Sequence, residues 1–343
     1  MEAPWSWRPS RAAWFDAIAD RAACWTPAVT GLDDRAVSAA LQAAARARDE
    51  WLWHPCLGRL TGADGDVAAS DLRMAIWVAA NTRVDAGAIS LAAPLAVWTP
   101  SGAIELEPGR HELARVAGAE AGAEAAPFPG PAVDLWCHST GSVEPHSWAA
   151  APAASPADAA ALEGQLQTYA RTIAHLHELL PACMAWVGAA TRVVVPLRGG
   201  VDVFRSCSHP SLPGMVALDL MSSPDIAEAI VHESAHLHLF TAEAAHDLIE
   251  PDHEGRYPSP LQPEPRPLRG ILLACHALAY ICALYRDAAR IPALARWGQQ
   301  LEPNRELARD AEQTLAREER HLTAAGRAFF ADTRRVLDYA CDS

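Results

Sequence analysis

The chain has no lysine: among its 343 residues all 28 basic side chains are arginine, set against 42 acidic ones for a formal net charge of −14. An acidic chain without a basic block offers nucleic acid and anionic membrane surfaces little to hold, so neither is expected as a partner. Long apolar runs are missing as well. Charges and prolines interrupt every stretch before the roughly 20 residues that a membrane span needs. The opening residues, MEAPWSWRPSRAAWFDAIADRAA, lack the basic-then-apolar order of a secretory signal, and a cytoplasmic location is expected. None of the eight cysteines forms a CxxC pair, which argues against a zinc ribbon or finger. They read instead as reduced, small, buried hydrophobes.

What is present is ample apolar material, 50% of the chain, enough for one large domain or two modest ones. Helical spacing runs through 34–49 and 71–80, and 88–106 switches to a hairpin pattern around a Pro-Ser-Gly turn. Residues 121–133 and 149–157 have linker composition. A long helix is expected from Pro156 to Leu180, ended by Pro181. Short strands follow at TRVVVPL, where Pro196 favours an edge or a strand end, then at 201–204 and 215–220, the last two separated by SHPSLPG. One or two amphipathic helices fill 304–339. The expected fold is mainly α with a small β component (α+β), divided into an N-terminal region, 1–155, and a metal-binding domain, 156–343.

One stretch carries chemistry. Ser222, Pro224 and Asp225 form a helix start, with Ser222 as the cap. The helix that follows contains His232-Glu233-Ser234-Ala235-His236, an HExxH motif. Histidines at i and i+4 share one helical face and can chelate one divalent ion, with Glu233 in reach of a metal-bound water. Glu228, one turn earlier, can orient a ligand histidine. His238 lies off that face. The third ligand decides the class. The residues after His236 read LHLFTAEAAH, with no glycine at the metzincin position and His246 ten residues on instead of six. Glu243 or Glu264 would complete a gluzincin. His276, on the apolar segment GILLACHALAY, is the favoured third ligand.

The segment from Pro213-Gly214 to Arg286 resembles the HEXXH motif domain of peptide-modifying proteins from ribosomal natural-product gene clusters. Glu228, the stretch IVHESAHLHL, Arg256-Tyr257, Ser259-Pro260 and Pro265-Arg266-Pro267-Leu268 before Gly270 carry the resemblance. It covers about a third of the chain, and Gln262 stands where relatives are expected to have arginine. The resemblance implies a 2-oxoglutarate-dependent peptide β-hydroxylase using Fe(II). His232, His236 and His276 would hold the metal, and Glu233 would hydrogen-bond beside it. The keto acid's distal carboxylate calls for a bidentate cation, with Arg266 and Arg269 as first candidates and Arg198 and Arg205 as weaker ones. The implied partner is a precursor peptide. Two alternatives stay open from the residues themselves. One is a zinc metallopeptidase with Glu233 as general base, and the other a non-catalytic peptide-binding partner.

Overall fold

The structure, a computed structural model, describes residues 4–6, 9–57, 60, 67–92, 95–99, 102–117, 134–135, 156–197, 206–210, 212–219 and 222–341. Near the N-terminus, α1 (Ala12–Ala23) packs on α2 (Asp34–Ala47), and α3 (Val67–Thr82) packs against α2. Helix α2 begins where the Asp33 carboxylate accepts the Ala36 N–H at 2.9 Å and stops at Arg48, which is left-handed with φ 58°. Asp71 on α3 is fully buried because it is fully used: it accepts the Trp25 indole N–H at 2.8 Å and the Ala28 N–H at 2.7 Å. Strand β1 (Ala88–Leu91) pairs antiparallel with β4 (Gly109–Glu112). Between them, β2 (Leu95–Thr99) and β3 (Gly102–Leu106) form the hairpin expected from the alternating pattern. A short helix, α4 (Leu113–Ala117), follows.

The second half is built on a four-stranded sheet and a stack of helices. Its elements run β5 (Asp134–Leu135), α5 (Pro156–Leu179), α6 (Pro181–Ala190), β6 (Val193–Leu197), β7 (Ser206–Ser208), β8 (Met215–Asp219) and α7 (Ser223–Glu243). Next come β9 (Arg256–Tyr257), β10 (Arg266–Pro267), α8 (Leu268–Ala289), α9 (Leu301–Arg317) and α10 (Ala324–Cys341). Sheet order is β5-β6-β8-β7, parallel except for the antiparallel β7–β8 pair. Strand β6 is interior to this sheet by order, and Pro196 stands one residue before its last, Leu197, opposite Leu218 of β8. Pro181 does end α5 as expected. It also opens α6, because a proline at the first helical turn forfeits only an N–H that has no intrahelical partner.

Three hydrophobic cores form among the described residues, the smallest of them around Leu239, Leu268, Ile271, Leu315 and Phe330. The other two are larger. One draws on Trp14 through Val116 and also takes Val193 and Met215 from the sheet; the other spans Tyr169 through Ala340 and also takes Trp5. The linker-like stretch 121–133 lies outside the described residues, as does 149–157 but for its last two. Helix α8 corrects one expectation: by length and composition its 22 residues would suffice to cross a membrane. It is instead a core helix, 83% buried over its apolar window against α7, α9 and α10. No disulfide forms among the described cysteines, and Cys56, Cys183, Cys275 and Cys282 are buried. Burial pushes their thiols up, to about 12 for Cys282, which leaves them inert hydrophobes.

Candidate metal centre

Helix α7 starts with Pro224 in its first turn and Asp225 at its positive end, as the sequence suggests. The cap differs from expectation. The Ser222 hydroxyl donates to the Asp225 carboxylate and accepts no N–H from the helix backbone. From Ile226 to Leu239 the helix is mostly buried, and the partly exposed positions are Glu228, His232 and His236, continued by Phe240. That spacing of four makes one stripe along the helix. The two histidines therefore sit on the single line where an otherwise buried helix meets accessible space.

Glu233 points the other way, into the protein, with its side chain 3% exposed. It is not left bare. The Ser206 hydroxyl donates to Oε1 and the Ser208 hydroxyl to Oε2, both at 2.7 Å. The pleat explains the pair: residues two apart on β7 share a face, and Cys207 between them turns to the other. Glu233 Oε2 lies 3.4 Å from Nδ1 of His236, and Oε1 lies 3.9 Å from Nε2 of His232. Burial alone would raise the carboxyl pKa. Hydrogen bonding by His236, the charges of both histidines and the Ser208 hydroxyl more than offset it and hold the group at about 2. His232 is pushed down to about 4 by burial and by neighbouring His236, with Glu233 opposing. A His232 imidazole held neutral beside a fixed carboxylate is the protonation state that a cation requires of that residue.

The donor atoms of His232, Glu233 and His236 all lie within 4.8 Å of one another. Ligand atoms about 2.1 Å from one ion are at most about 4.2 Å apart, so this group is close to the span of a divalent site. Among the described residues it is the one such cluster of three, and His276 is not in it. His276 is buried on α8. Its Nδ1 meets the Thr333 hydroxyl at 3.0 Å, and that hydroxyl donates onward to the Phe329 carbonyl at 3.0 Å. The ring therefore donates from Nδ1, packed between Tyr280 and Phe329. Its pKa is lowered well below the ordinary value by burial and by His238 and His236 nearby.

The other residues singled out in the sequence separate. Arg269 spends both arms of its guanidinium on Glu243 at 2.5 and 2.7 Å, clamping the end of α7 to the start of α8. Glu243 is thereby committed to a salt bridge. Arg266 is exposed and lines a cavity of about 410 Å³ with Arg256, Gln262 and Glu264, whose lining includes neither His232 nor His236. Glu228 receives the Tyr285 hydroxyl. His238 is buried against Trp186, its Nε2 3.2 Å from that residue's carbonyl. Arg198, Arg205 and the strand expected at 201–204 lie outside the described residues. Sequence analysis missed Ser206 and Ser208 because SHPSLPG reads as a turn that includes Ser208. The available signal was the Ser-x-Ser alternation directly before it.

The chain matches no protein-family model, and no curated protein sequence matches it.

Proposed function

We propose that the chain is a non-haem Fe(II) and 2-oxoglutarate-dependent oxygenase that hydroxylates a β-carbon in a ribosomally made precursor peptide. The supporting observation is the double serine contact on Glu233. A hydrolytic general base must collect a proton, and it works best with a pKa near the working pH. A buried carboxylate that takes a hydroxyl hydrogen bond on each oxygen is a poor proton acceptor. It is well suited to fixing the position of two imidazoles. This favours the oxidative reading over the zinc peptidase, in which Glu233 is indispensable as the base. The reaction class itself comes from the resemblance of residues 213–286 to the HEXXH motif domain.

The donor chemistry fits the metal. Imidazole nitrogens suit Fe(II) as well as Zn(II), and His232 and His236 lie on the accessible stripe of α7 where a substrate side chain can approach. Bound iron would supply the centre at which dioxygen, the oxidant, is reduced: the keto acid would give two electrons in becoming succinate and carbon dioxide and the peptide C–H bond two more, with one oxygen atom ending in succinate and the other in the new hydroxyl. His232 and His236 hold the metal, with His276 the proposed third ligand. Glu233 orients the pair. Arg266 is the proposed anchor for the cosubstrate's distal carboxylate, since Arg269 is already engaged by Glu243. The test is anaerobic metal titration followed by 2-oxoglutarate. One equivalent of Fe(II) bound, and a rise in melting temperature with the keto acid that depends on the metal, supports the proposal. Zinc-supported cleavage of peptides refutes it. Unchanged biosynthesis with His232→Ala and His236→Ala points instead to a non-catalytic peptide-binding partner.

A further inference from the structure

On the other side of α7 from the histidine stripe lies a cavity of about 730 Å³, within the size range of small-molecule sites. Its walls come from the segment Pro9 to Phe15 with Arg48, from His177 of α5, from helix α6 with Arg192 just beyond it, and from His238 and Thr241 of α7. Its polar wall carries Arg11, Arg48, Arg192, His177 and His238, and among the described residues no aspartate or glutamate lines it. In a chain of net charge −14 such a gathering of guanidinium groups runs against composition. One-signed charge in a low-dielectric cleft concentrates counter-ions of the opposite sign.

Two of these arginines are held in place. The Arg11 guanidinium lies 4.4 Å from the ring centroid of Trp53, and the Trp53 indole N–H is tied to the Ala190 carbonyl at 2.6 Å. Arg192 is anchored by its backbone N–H on the Gly214 carbonyl at 2.7 Å, while its stem packs so closely on Gly214 that a Cβ there would sit 3.0 Å away. The floor is different in kind: Phe15, Pro181 and Met184 give it an apolar surface.

We propose that this cavity binds a compact organic anion, a carboxylate or phosphate carried on an apolar body. Guanidinium groups take either head group in bidentate fashion, and the apolar floor takes the body. The site is separate from the metal cluster and does not depend on the oxygenase reading. Occupancy would draw the N-terminal region, α6 and the metal-bearing helix onto one ligand.

The experiment is calorimetric titration of the metal-free, full-length protein with phenyl phosphate and with phenylacetate. Inorganic phosphate and benzyl alcohol are the comparisons. Saturable binding of one or both aryl anions, with none of benzyl alcohol, is expected, and the better of the two identifies the head group. Arg48→Gln and Arg192→Gln should each weaken binding about tenfold, as loss of a charge-assisted contact does. Arg48 is exposed, so its replacement leaves the fold intact by circular dichroism. His232→Ala/His236→Ala should leave binding unchanged. The proposal is overturned if neither aryl anion saturates, or if both arginine variants bind as the parent does. Loss of binding in the histidine variant, or inorganic phosphate as tight as phenyl phosphate, overturns it too.

Discussion

The Ser208 hydroxyl donates to Oε2 of Glu233 at 2.7 Å, and through that carboxylate a three-residue strand reaches His236. Ser206 repeats the contact on the other oxygen. Removing both hydroxyls strips a buried anion of two of its donors and leaves it to His236. Ser206→Ala/Ser208→Ala should therefore raise the Glu233 pKa and weaken metal affinity by about 10- to 100-fold, the usual range for outer partners of a metal ligand. Competitive titration with a chelating dye measures it; parental affinity in the double variant would remove Glu233 from the account.

Trp5 joins the extreme N-terminus to the C-terminal core. Its indole N–H donates to Asp287 at 2.9 Å, the Tyr339 hydroxyl donates to the other oxygen of Asp287 at 2.6 Å, and its ring packs edge-on against Trp186. Trp5→Ala should cost about 3–5 kcal/mol in urea unfolding, as large-to-small core changes do. Trp5→Phe keeps most of the packing and loses the hydrogen bond, so about 1–2 kcal/mol is expected.

How much of this was legible in the sequence depended on whether the signal was local. The motif helix, the hairpin around residues 100–101 and the break at Pro181 follow from periodicity and from the backbone rules of proline. The histidine pair follows from helical spacing alone. Strand β7 and its two serines were not legible. A three-residue strand is too short for a period to emerge, and its role comes from pairing with β8 and packing on α7, both long-range facts. His276 was singled out for being polar on an apolar helix. Burial satisfies that feature by another route, the Thr333 hydroxyl. Arg269 could not be told from Arg266 by sequence, because only the fold brings Glu243 to it.

His54 gives the stability a pH dependence of known sign. It is buried, stacked on Trp77 with ring centroids 3.9 Å apart, and burial followed by the nearby Arg192 charge lowers its pKa to about 3. It is neutral in the fold but takes a proton in the unfolded chain below its ordinary value of 6.5. The unfolded state then binds more protons, so stability is full above 6.5 and falls as pH drops toward 3. The slope is about 1.4 kcal/mol per pH unit for each such histidine. His232, held at about 4, adds in the same direction. Urea midpoints measured across this window should decline on acidification, and His54→Gln should make the decline shallower by one histidine's share.

The two candidate arginines are separable by substitution. Arg269→Gln breaks a half-exposed ion pair and should cost no more than about 1 kcal/mol, leaving the keto acid's effect on melting temperature in place. Arg266→Gln should abolish that effect with little change in stability. The reverse pattern would move the cosubstrate anchor to Arg269.

Oxygen insertion at the His232–Glu233–His236 cluster is separated from hydrolysis by turnover of a precursor peptide with Fe(II) and 2-oxoglutarate under isotopically heavy dioxygen in ordinary water. An oxygenase yields an intact peptide heavier by one heavy oxygen atom and one succinate per product, and His232→Ala yields neither. Oxygen drawn from water, or a peptide cut in two with no succinate formed, refutes the oxygenase reading.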